Sequence, residues 1–182
     1  ETLVRRCDQA LTNVKRVLRG GFEFYNAELS AVEERRHALE QALRRAFDRD
    51  EFRMHFQPIF DTRTSALCGA EALLRWESAE LGTVAPDEFV PVAEESGLVV
   101  RIGEVVLRSV CEQIAQWRVR GYLVPTISVN LSARQLVDLD FREQVEQVFR
   151  STGVQGSDIE FELTEGSILT ESRRVDETLE WL

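Results

Sequence analysis

The first fifty residues carry two helical patterns separated by a pair of glycines. Residues 2–18 place apolar side chains at spacings of three and four, as an amphipathic helix does, and Gly20 and Gly21 end that pattern. Residues 22–25 alternate briefly, as a strand at the edge of a sheet does. From 26 to 47 a thin apolar stripe runs through a highly charged sequence. This stretch predicts a connecting helix whose charged faces are solvated.

Strand and helix patterns alternate from Phe52 onward. Strand periodicity is predicted for 52–57, 66–76, 126–131 and 159–164, and helix periodicity for 86–95, 100–120 and 132–149, with a polar loop at 77–83. Pro58 is expected to interrupt the first strand. Repeated strand and helix segments of this length predict an α/β sheet or barrel with its chemistry at the carboxyl ends of the strands.

Three of the predicted strands carry polar groups where a buried strand would not favour them. Glu71 and Arg75 lie four residues apart in an apolar segment, Asn130 interrupts another, and Glu160 and Glu162 share one face of the last. Each has a local explanation: a buried ion pair, a cap for the following helix, and a solvated strand face. A buried unpaired carboxylate is costly, so each group needs a partner.

A shared explanation is that these groups meet. Glu71, Asn130 and Glu162 lie towards the ends of separate strands, so in a parallel arrangement they would converge. Two carboxylates and an amide oxygen are hard ligands of the kind that Mg²⁺ or Mn²⁺ prefers. Arg75 would then be free to bind phosphate. Both explanations remain open at this point.

Composition narrows the classes of function. The chain has 182 residues with a net charge of −10, 30% charged and 43% hydrophobic residues, which is typical of a globular protein and argues against general binding of DNA or RNA. No apolar run approaches the roughly 18 to 20 residues of a membrane span. Cys7, Cys68 and Cys111 are odd in number and widely spaced, so a reducing cytoplasm is expected.

Several catalytic classes lack their residues. The only histidines are His37 and His55, which argues against a histidine-rich zinc site. Ser128 and Ser132 have no histidine and aspartate arrangement to activate them, and no glycine-rich phosphate loop occurs. Phosphate chemistry in so acidic a chain is therefore expected to depend on divalent metals.

Five motifs together resemble one family. They are Gln57-Pro58-Ile59, the stretch from Glu71 to Trp76, the stretch from Gly82 to Gly97, Val129 to Ser132, and Glu162 to Glu165. Their order and spacing are similar to those of the EAL-domain family of cyclic di-GMP phosphodiesterases. On this resemblance 49–182 is the N-terminal part of an EAL domain and 26–48 a helical linker. Residues 1–25 resemble, on a shorter match, the C-terminal end of a GGDEF domain.

The resemblance implies a fold, a reaction and a site. The fold would be a TIM-type (β/α) barrel, and the reaction metal-dependent attack of water on one phosphodiester bond of cyclic di-GMP, giving linear pGpG in a cytoplasmic signalling protein. The implied catalytic residues are Glu71, Asn130, Glu162 and Glu165, of which the first three bind Mg²⁺ or Mn²⁺ and the last holds an active-site loop; Gln57 and Arg75 contact the substrate.

The sequence also departs from the family pattern. Ser78-Ala79 stands where the family has His-Pro, and Gly166 where it has Ser. The later motifs, an Asp pair and a catalytic Lys among them, would fall after Leu182. A complete barrel needs about 250 residues, so these 182 residues are expected to form its first part and to be inactive alone.

Two further possibilities stay open. One is a degenerate EAL module that binds cyclic di-GMP or a protein partner without hydrolysis. The other is a homodimer, formed through the helix at 26–47 or through the open edge of an incomplete sheet.

Overall fold

The computed structural model describes residues 27–163 and 173–182, so the GGDEF-like segment predicted at 1–25 lies outside the described residues. The chain divides into two units, 1–41 and 42–182, and the sheet belongs to the second. The helices are α1 (Ala27–Ala46), α2 (Pro86–Ser96), α3 (Val99–Val119), α4 (Ala133–Leu136), α5 (Phe141–Thr152) and α6 (Arg173–Trp181). The strands are β1 (Phe52–Phe60), β2 (Leu67–Ser78), β3 (Gly82–Val84), β4 (Thr126–Leu131) and β5 (Ile159–Leu163), the last preceded by a 3₁₀ turn (Gly156–Asp158).

The sheet combines one hairpin with a parallel series. Its order is β1-β2-β4-β5, with β1 antiparallel to β2 and with β2, β4 and β5 parallel, while β3 pairs with the far end of β2. Helices α2 and α3 connect β2 to β4, and α4 and α5 connect β4 to β5. Successive parallel strands joined through helices are the arrangement of a (β/α) barrel, and the predicted N-terminal part of such a barrel is confirmed.

One face of the sheet is apolar and lies against the helices. Trp76 on β2 is fully buried and packs edge-to-face on Phe89 of α2, with ring centroids 5.5 Å apart. Phe56 on β1 packs in the same way on Trp117 of α3, at 4.9 Å. The buried members of this face on the parallel strands are Ala70, Ala72, Ile127, Val129, Leu131 and Ile159. Since side chains alternate along a strand, Glu71, Arg75, Asn130, Glu160 and Glu162 project from the opposite face, whereas Ser78 at the end of β2 is buried on the same face as Trp76.

The structure corrects three predicted boundaries. Strand β1 continues through Pro58 to Phe60, because in the described chain β1 pairs only with β2, and an edge strand tolerates a residue without an N–H. Strand β2 reaches Ser78 and pairs with β3 where a loop was predicted. The helix predicted at 132–149 is two helices, because the Asp138 carboxylate accepts a hydrogen bond from the backbone N–H of Asp140 at 2.9 Å and forms a turn.

Two helices end where glycine adopts the left-handed conformation. Gly97 follows α2 with φ 76°, and Gly153 follows α5 with φ 72°. In both turns the glycine N–H donates to a carbonyl of the last helical turn, to that of Glu94 or of Phe149. A side chain at either position would meet the steric cost of that conformation.

A buried carboxylate holds the carboxyl end of β2. Glu51 is only 6% exposed, and its two oxygens accept hydrogen bonds from different donors. The Trp76 indole Nε1 donates to Oε2 at 3.0 Å, and the Ala79 backbone N–H donates to Oε1 at 3.1 Å. The residue just before β1 thereby fixes the turn that follows β2.

Candidate functional site

The polar face of the sheet brings Glu71 and Asn130 into direct contact. The Asn130 Nδ2 on β4 donates a hydrogen bond to the Glu71 Oε1 on β2 at 2.9 Å. Glu71 is half-buried and Asn130 is exposed. Because the amide nitrogen faces Glu71, the amide oxygen Oδ1 and the second carboxylate oxygen Oε2 keep their lone pairs for another partner. Among the described residues neither of these two oxygens accepts a hydrogen bond.

Glu162 lies beside Asn130 on the next strand. The two are register partners in the parallel pairing of β4 with β5, so their side chains project from the same face of strands about 4.8 Å apart. Glu162 is exposed. Glu160, two residues earlier, is opposite Ser128 instead and lies one step further from the carboxyl end of the sheet. Three oxygen donors therefore lie on three consecutive strands.

The chemistry of this donor set fits a hard divalent cation. Mg²⁺ is commonly bound through one or two carboxylates while it keeps several waters, and amide oxygens are also among its ligands. Within the described ranges, no group of three or more His, Cys, Asp or Glu residues is placed to hold a metal ion. That finding agrees with a set in which the third donor is an asparagine.

The two residues expected at the substrate lie on the same face. Gln57 on β1 is the register partner of Glu71 and is exposed. Arg75 is four residues beyond Glu71 on β2 and half-buried, and its Nη1 donates to the Leu74 carbonyl at 2.9 Å. Of the residues implied by the sequence, Glu165 lies outside the described residues, and so does Gly166.

Two of the local explanations for the polar residues are wrong. Glu71 and Arg75 form no ion pair in the described part of the chain, since Glu71 accepts from Asn130 instead. Asn130 is not a helix cap, because Ser132 caps α4. The third explanation, a solvated strand face, agrees with the structure in that Glu160 and Glu162 are both exposed.

A cleft of about 260 Å³ opens next to this site. Arg75 and Asn130 line it together with Glu94 and Ser132. Its apolar lining comes from β2, β4, α2 and α3, through Ala72, Leu74, Val90, Val99, Ile102, Val106 and Leu131. The parallel pairing of β2 with β4 ends at Ala72, and beyond that point the two strands leave room between them.

Sequence reasoning missed the contacts that hold the end of β4. The Ser132 hydroxyl donates to the Glu94 Oε1 on α2 at 2.8 Å. The spacing of Ser132 and Gln135 fits a capping box and was the one local signal of this arrangement. The contact to Glu94 spans 38 residues and has no local signature.

The described side chains whose pKa is clearly shifted lie away from this site. The Arg118 guanidinium, 2.6 Å from Asp158, lowers the pKa of that carboxyl, and the backbone N–H of Gln155 adds to the effect. Burial raises the pKa of the Cys111 thiol to about 12.

No helix in the described chain is both long enough and apolar enough to cross a membrane.

Comparison with known proteins shows which family this chain is similar to. The EAL domain profile matches residues 40–182. The bifunctional diguanylate cyclase/cyclic di-GMP phosphodiesterase MucR of Pseudomonas aeruginosa is 32% identical over 170 residues, which are 93% of this chain and 25% of MucR. The cyclic di-GMP phosphodiesterase PdeR of Escherichia coli is 34% identical over 167 residues, 92% of this chain and 25% of PdeR.

The solved structure of the PaMucR phosphodiesterase in complex with c-di-GMP superposes with a TM-score of 0.73 at 33% identity, covering 79% of this chain and 58% of that one. The chain thus spans about a quarter of the curated relatives' length and just over half of this solved structure.

Proposed function

The chain belongs to the EAL domain family, and from this premise we propose that it supplies the first part of a metal-dependent cyclic di-GMP phosphodiesterase. One observation carries the proposal. The Asn130 amide is hydrogen-bonded to Glu71, which lies one register step earlier on β2, and is in register with Glu162, so the three donors share one face towards the carboxyl ends of the parallel strands. Active sites of (β/α) barrels lie at that edge.

Each residue of the site has a role in this proposal. Glu71, Asn130 and Glu162 hold Mg²⁺ or Mn²⁺, which when bound would lower the pKa of water and offset charge on the phosphate. Glu71 also orients the Asn130 amide, so that its oxygen faces the cation. The planar guanidinium of Arg75 binds a phosphate of the dinucleotide, and Gln57 contacts the substrate from β1.

The net charge of −10 agrees with these roles, in which carboxylates bind cations and Arg75 binds phosphate. An acidic chain disfavours a dianionic substrate unless positive charge is supplied locally. Bound cations and Arg75 supply it where the phosphates lie, and Glu71 and Glu162 then serve as ligands for those cations. For Glu165 we propose the role implied by the family, that of holding an active-site loop.

We further propose that hydrolysis to pGpG requires the part of an EAL domain that these 182 residues do not include. The EAL pattern places an Asp pair and a Lys there, and the chain covers 58% of the solved PaMucR phosphodiesterase. Three protein oxygens leave about half of the octahedral coordination shell of Mg²⁺ to water and to other ligands. The 182-residue chain alone is expected to turn over no substrate.

A hydrolysis assay with two lengths of protein tests the proposal. One is the 182-residue chain, and the other is the natural protein carrying this sequence to the length of a complete barrel, here named the barrel-length form. Cyclic di-GMP is incubated with each in Mg²⁺, in Mn²⁺ and in EDTA, and products are separated by chromatography. We expect pGpG from the barrel-length form with either metal and none in EDTA.

A pair of variants on one strand supplies the control. Glu71→Gln in the barrel-length form is expected to lower kcat at least a hundredfold, whereas Glu77→Gln, exposed on the same strand, should stay within about twofold of wild type. Cyclic di-GMP binding without cleavage by the barrel-length form would favour the degenerate binding module. Turnover by the 182-residue chain would contradict the dependence on the remaining part of the domain.

The homodimer remains a prediction with its own measurement. If the chain dimerises, light scattering of the 182-residue chain should give twice 20.8 kDa, and a mass of 20.8 kDa would contradict the homodimer. A cytoplasmic location likewise remains a prediction.

A further inference from the structure

Ser132, the first residue after β4, is held at two of its atoms. Its hydroxyl donates to the Glu94 Oε1 on α2 at 2.8 Å, and its backbone N–H donates to the Gln135 Oε1 at 3.0 Å. Ser132 also accepts from the backbone N–H of Arg134 and so caps α4. The residue two positions after Asn130 is therefore tied to α2 and α4 at once.

Gly103 on α3 gives Gln135 the space it occupies. A Cβ at position 103 would lie 1.9 Å from the Gln135 Nε2 and 2.6 Å from its Cδ. Gln135 is only 6% exposed, so its side chain cannot swing freely into solvent to relieve such an overlap. An alanine at 103 must therefore displace the group that holds the Ser132 N–H. We name Glu94, Gly103, Ser132 and Gln135 the Ser132 clamp.

Asn130 has no comparable support of its own. It is exposed, and its one side-chain hydrogen bond among the described residues goes to Glu71, itself a proposed ligand. The position of its amide oxygen thus depends on where the end of β4 lies. The Ser132 clamp joins that end to three helices.

We infer that the Ser132 clamp is a positioning device for the divalent cation site, fixing the end of β4 so that the Asn130 amide oxygen faces the cation. This inference rests on the proposed function. All four members of the clamp line the same cleft as Arg75 and Asn130. The inference assigns them no direct contact with the cation and has them act through Asn130. Groups that orient metal ligands commonly change metal affinity or activity by about 10- to 100-fold when removed.

A purely structural cap would behave differently. Loss of a cap lowers the stability of the fold and leaves the affinity for Mn²⁺ and the turnover of the remaining folded protein unchanged. Loss of a positioning device weakens Mn²⁺ binding and lowers kcat at a fixed Mn²⁺ concentration, while KM changes little because Arg75 still binds the phosphate.

The test uses the barrel-length form, with Mn²⁺ affinity from calorimetry and kcat and KM for cyclic di-GMP as separate readouts. For Ser132→Ala and Glu94→Leu we expect Mn²⁺ binding about tenfold weaker and kcat about tenfold lower, with KM within about twofold. Ser132→Thr and Glu94→Gln retain a hydroxyl and an acceptor and should recover most of the loss. The matched control is Ser96→Ala on α2, whose hydroxyl, among the described residues, donates only within its own helix to Val92 and Ala93.

A double-mutant cycle tests the contact between Gly103 and Gln135. Gly103→Ala should weaken Mn²⁺ binding in the wild-type background, even though alanine favours a helix more than glycine does. In a Gln135→Ala background it should have no further effect, because the overlapping group is gone.

Three results would overturn the inference. Ser132→Ala and Glu94→Leu could lower the melting temperature while Mn²⁺ affinity and kcat stay within twofold of wild type. Gly103→Ala could weaken Mn²⁺ binding equally in both backgrounds. A wild-type protein that neither binds Mn²⁺ nor cleaves cyclic di-GMP would refute the proposed function itself, and this inference with it, before any variant is compared.

Discussion

Replacing Glu51 by glutamine should leave one buried N–H donor without an acceptor. The two carboxylate oxygens of Glu51 serve two donors, the Trp76 indole and the Ala79 backbone N–H, at 3.0 and 3.1 Å. Glutamine offers one oxygen and one NH₂ group, so whichever way it turns, one of these donors faces another donor. Glu51 is 6% exposed and Trp76 fully buried, so water does not easily replace the lost acceptor.

The size of the effect follows from hydrogen bonding to a charged group. Such a bond contributes about 1.5–3 kcal/mol, and an unsatisfied buried donor costs about 1–3 kcal/mol. We therefore expect Glu51→Gln to lower the free energy of unfolding by about 2–3 kcal/mol. For a chain of this length that corresponds to a melting temperature lower by about 5–10 °C. Urea unfolding followed by far-ultraviolet circular dichroism gives the free energy, and a thermal scan gives the melting temperature.

A double-mutant cycle with Trp76→Phe isolates the cause. Without the indole N–H the Ala79 N–H is the hydrogen-bond donor that remains, and the single oxygen of glutamine can serve it. The ion pair of Glu51 with Arg49, at 3.7 Å, is lost in both backgrounds and cancels in the cycle. The cost of Glu51→Gln should then fall by about 1–2 kcal/mol relative to its cost in the wild-type background. Glu80→Gln, which alters an exposed carboxylate bound by Arg45 and Arg49, is the control and should change stability little. Equal losses for Glu51→Gln in both backgrounds would refute this account of the buried carboxylate.

Three further predictions concern other parts of the fold. Asp158→Asn removes a carboxylate whose pKa Arg118 lowers, so above pH 4 the free energy of unfolding of wild type should exceed that of the variant by up to about 1 kcal/mol. Unfolding measured over a series of acid pH values should show this difference vanish as the pH falls through the lowered pKa. Cys111 is buried with its pKa raised to about 12, so iodoacetamide at pH 8 should modify it only after urea is added, as mass spectrometry of its peptide will show. Gly153→Ala should lower the free energy of unfolding by about 1 kcal/mol because of the positive φ, whereas Gly156→Ala, with open space around it, should not.

The sequence was most informative about which residues share a face. Glu71, Asn130 and Glu162 each break an apolar alternation, and with a period of two this places them opposite the residues that contact the helices. The family resemblance added the order of the strands. Their grouping at one edge of the sheet could therefore be predicted without coordinates.

The contacts between strands and between strands and helices could not be predicted from the sequence. Whether Glu71 pairs with Arg75 or with Asn130 depends on the register of β2 against β4, which no local pattern encodes. The burial of Glu51 depends on Trp76, 25 residues away. The break between α4 and α5 did have a local cause, the Asp138 side chain, but the sequence prediction carried one helix from 132 to 149 through it.

The central claim is that Glu71, Asn130 and Glu162 form one cation site, and two glutamates on the same face of β5 test it most directly. The measurement is the Mn²⁺ affinity of the barrel-length form by calorimetry for wild type, Glu162→Gln and Glu160→Gln. Since only Glu162 is in register with Asn130, Glu162→Gln should weaken binding at least tenfold, about 1.4 kcal/mol, and Glu160→Gln should stay within about twofold. Equal affinities for the two variants, or a larger loss for Glu160→Gln, would contradict the site.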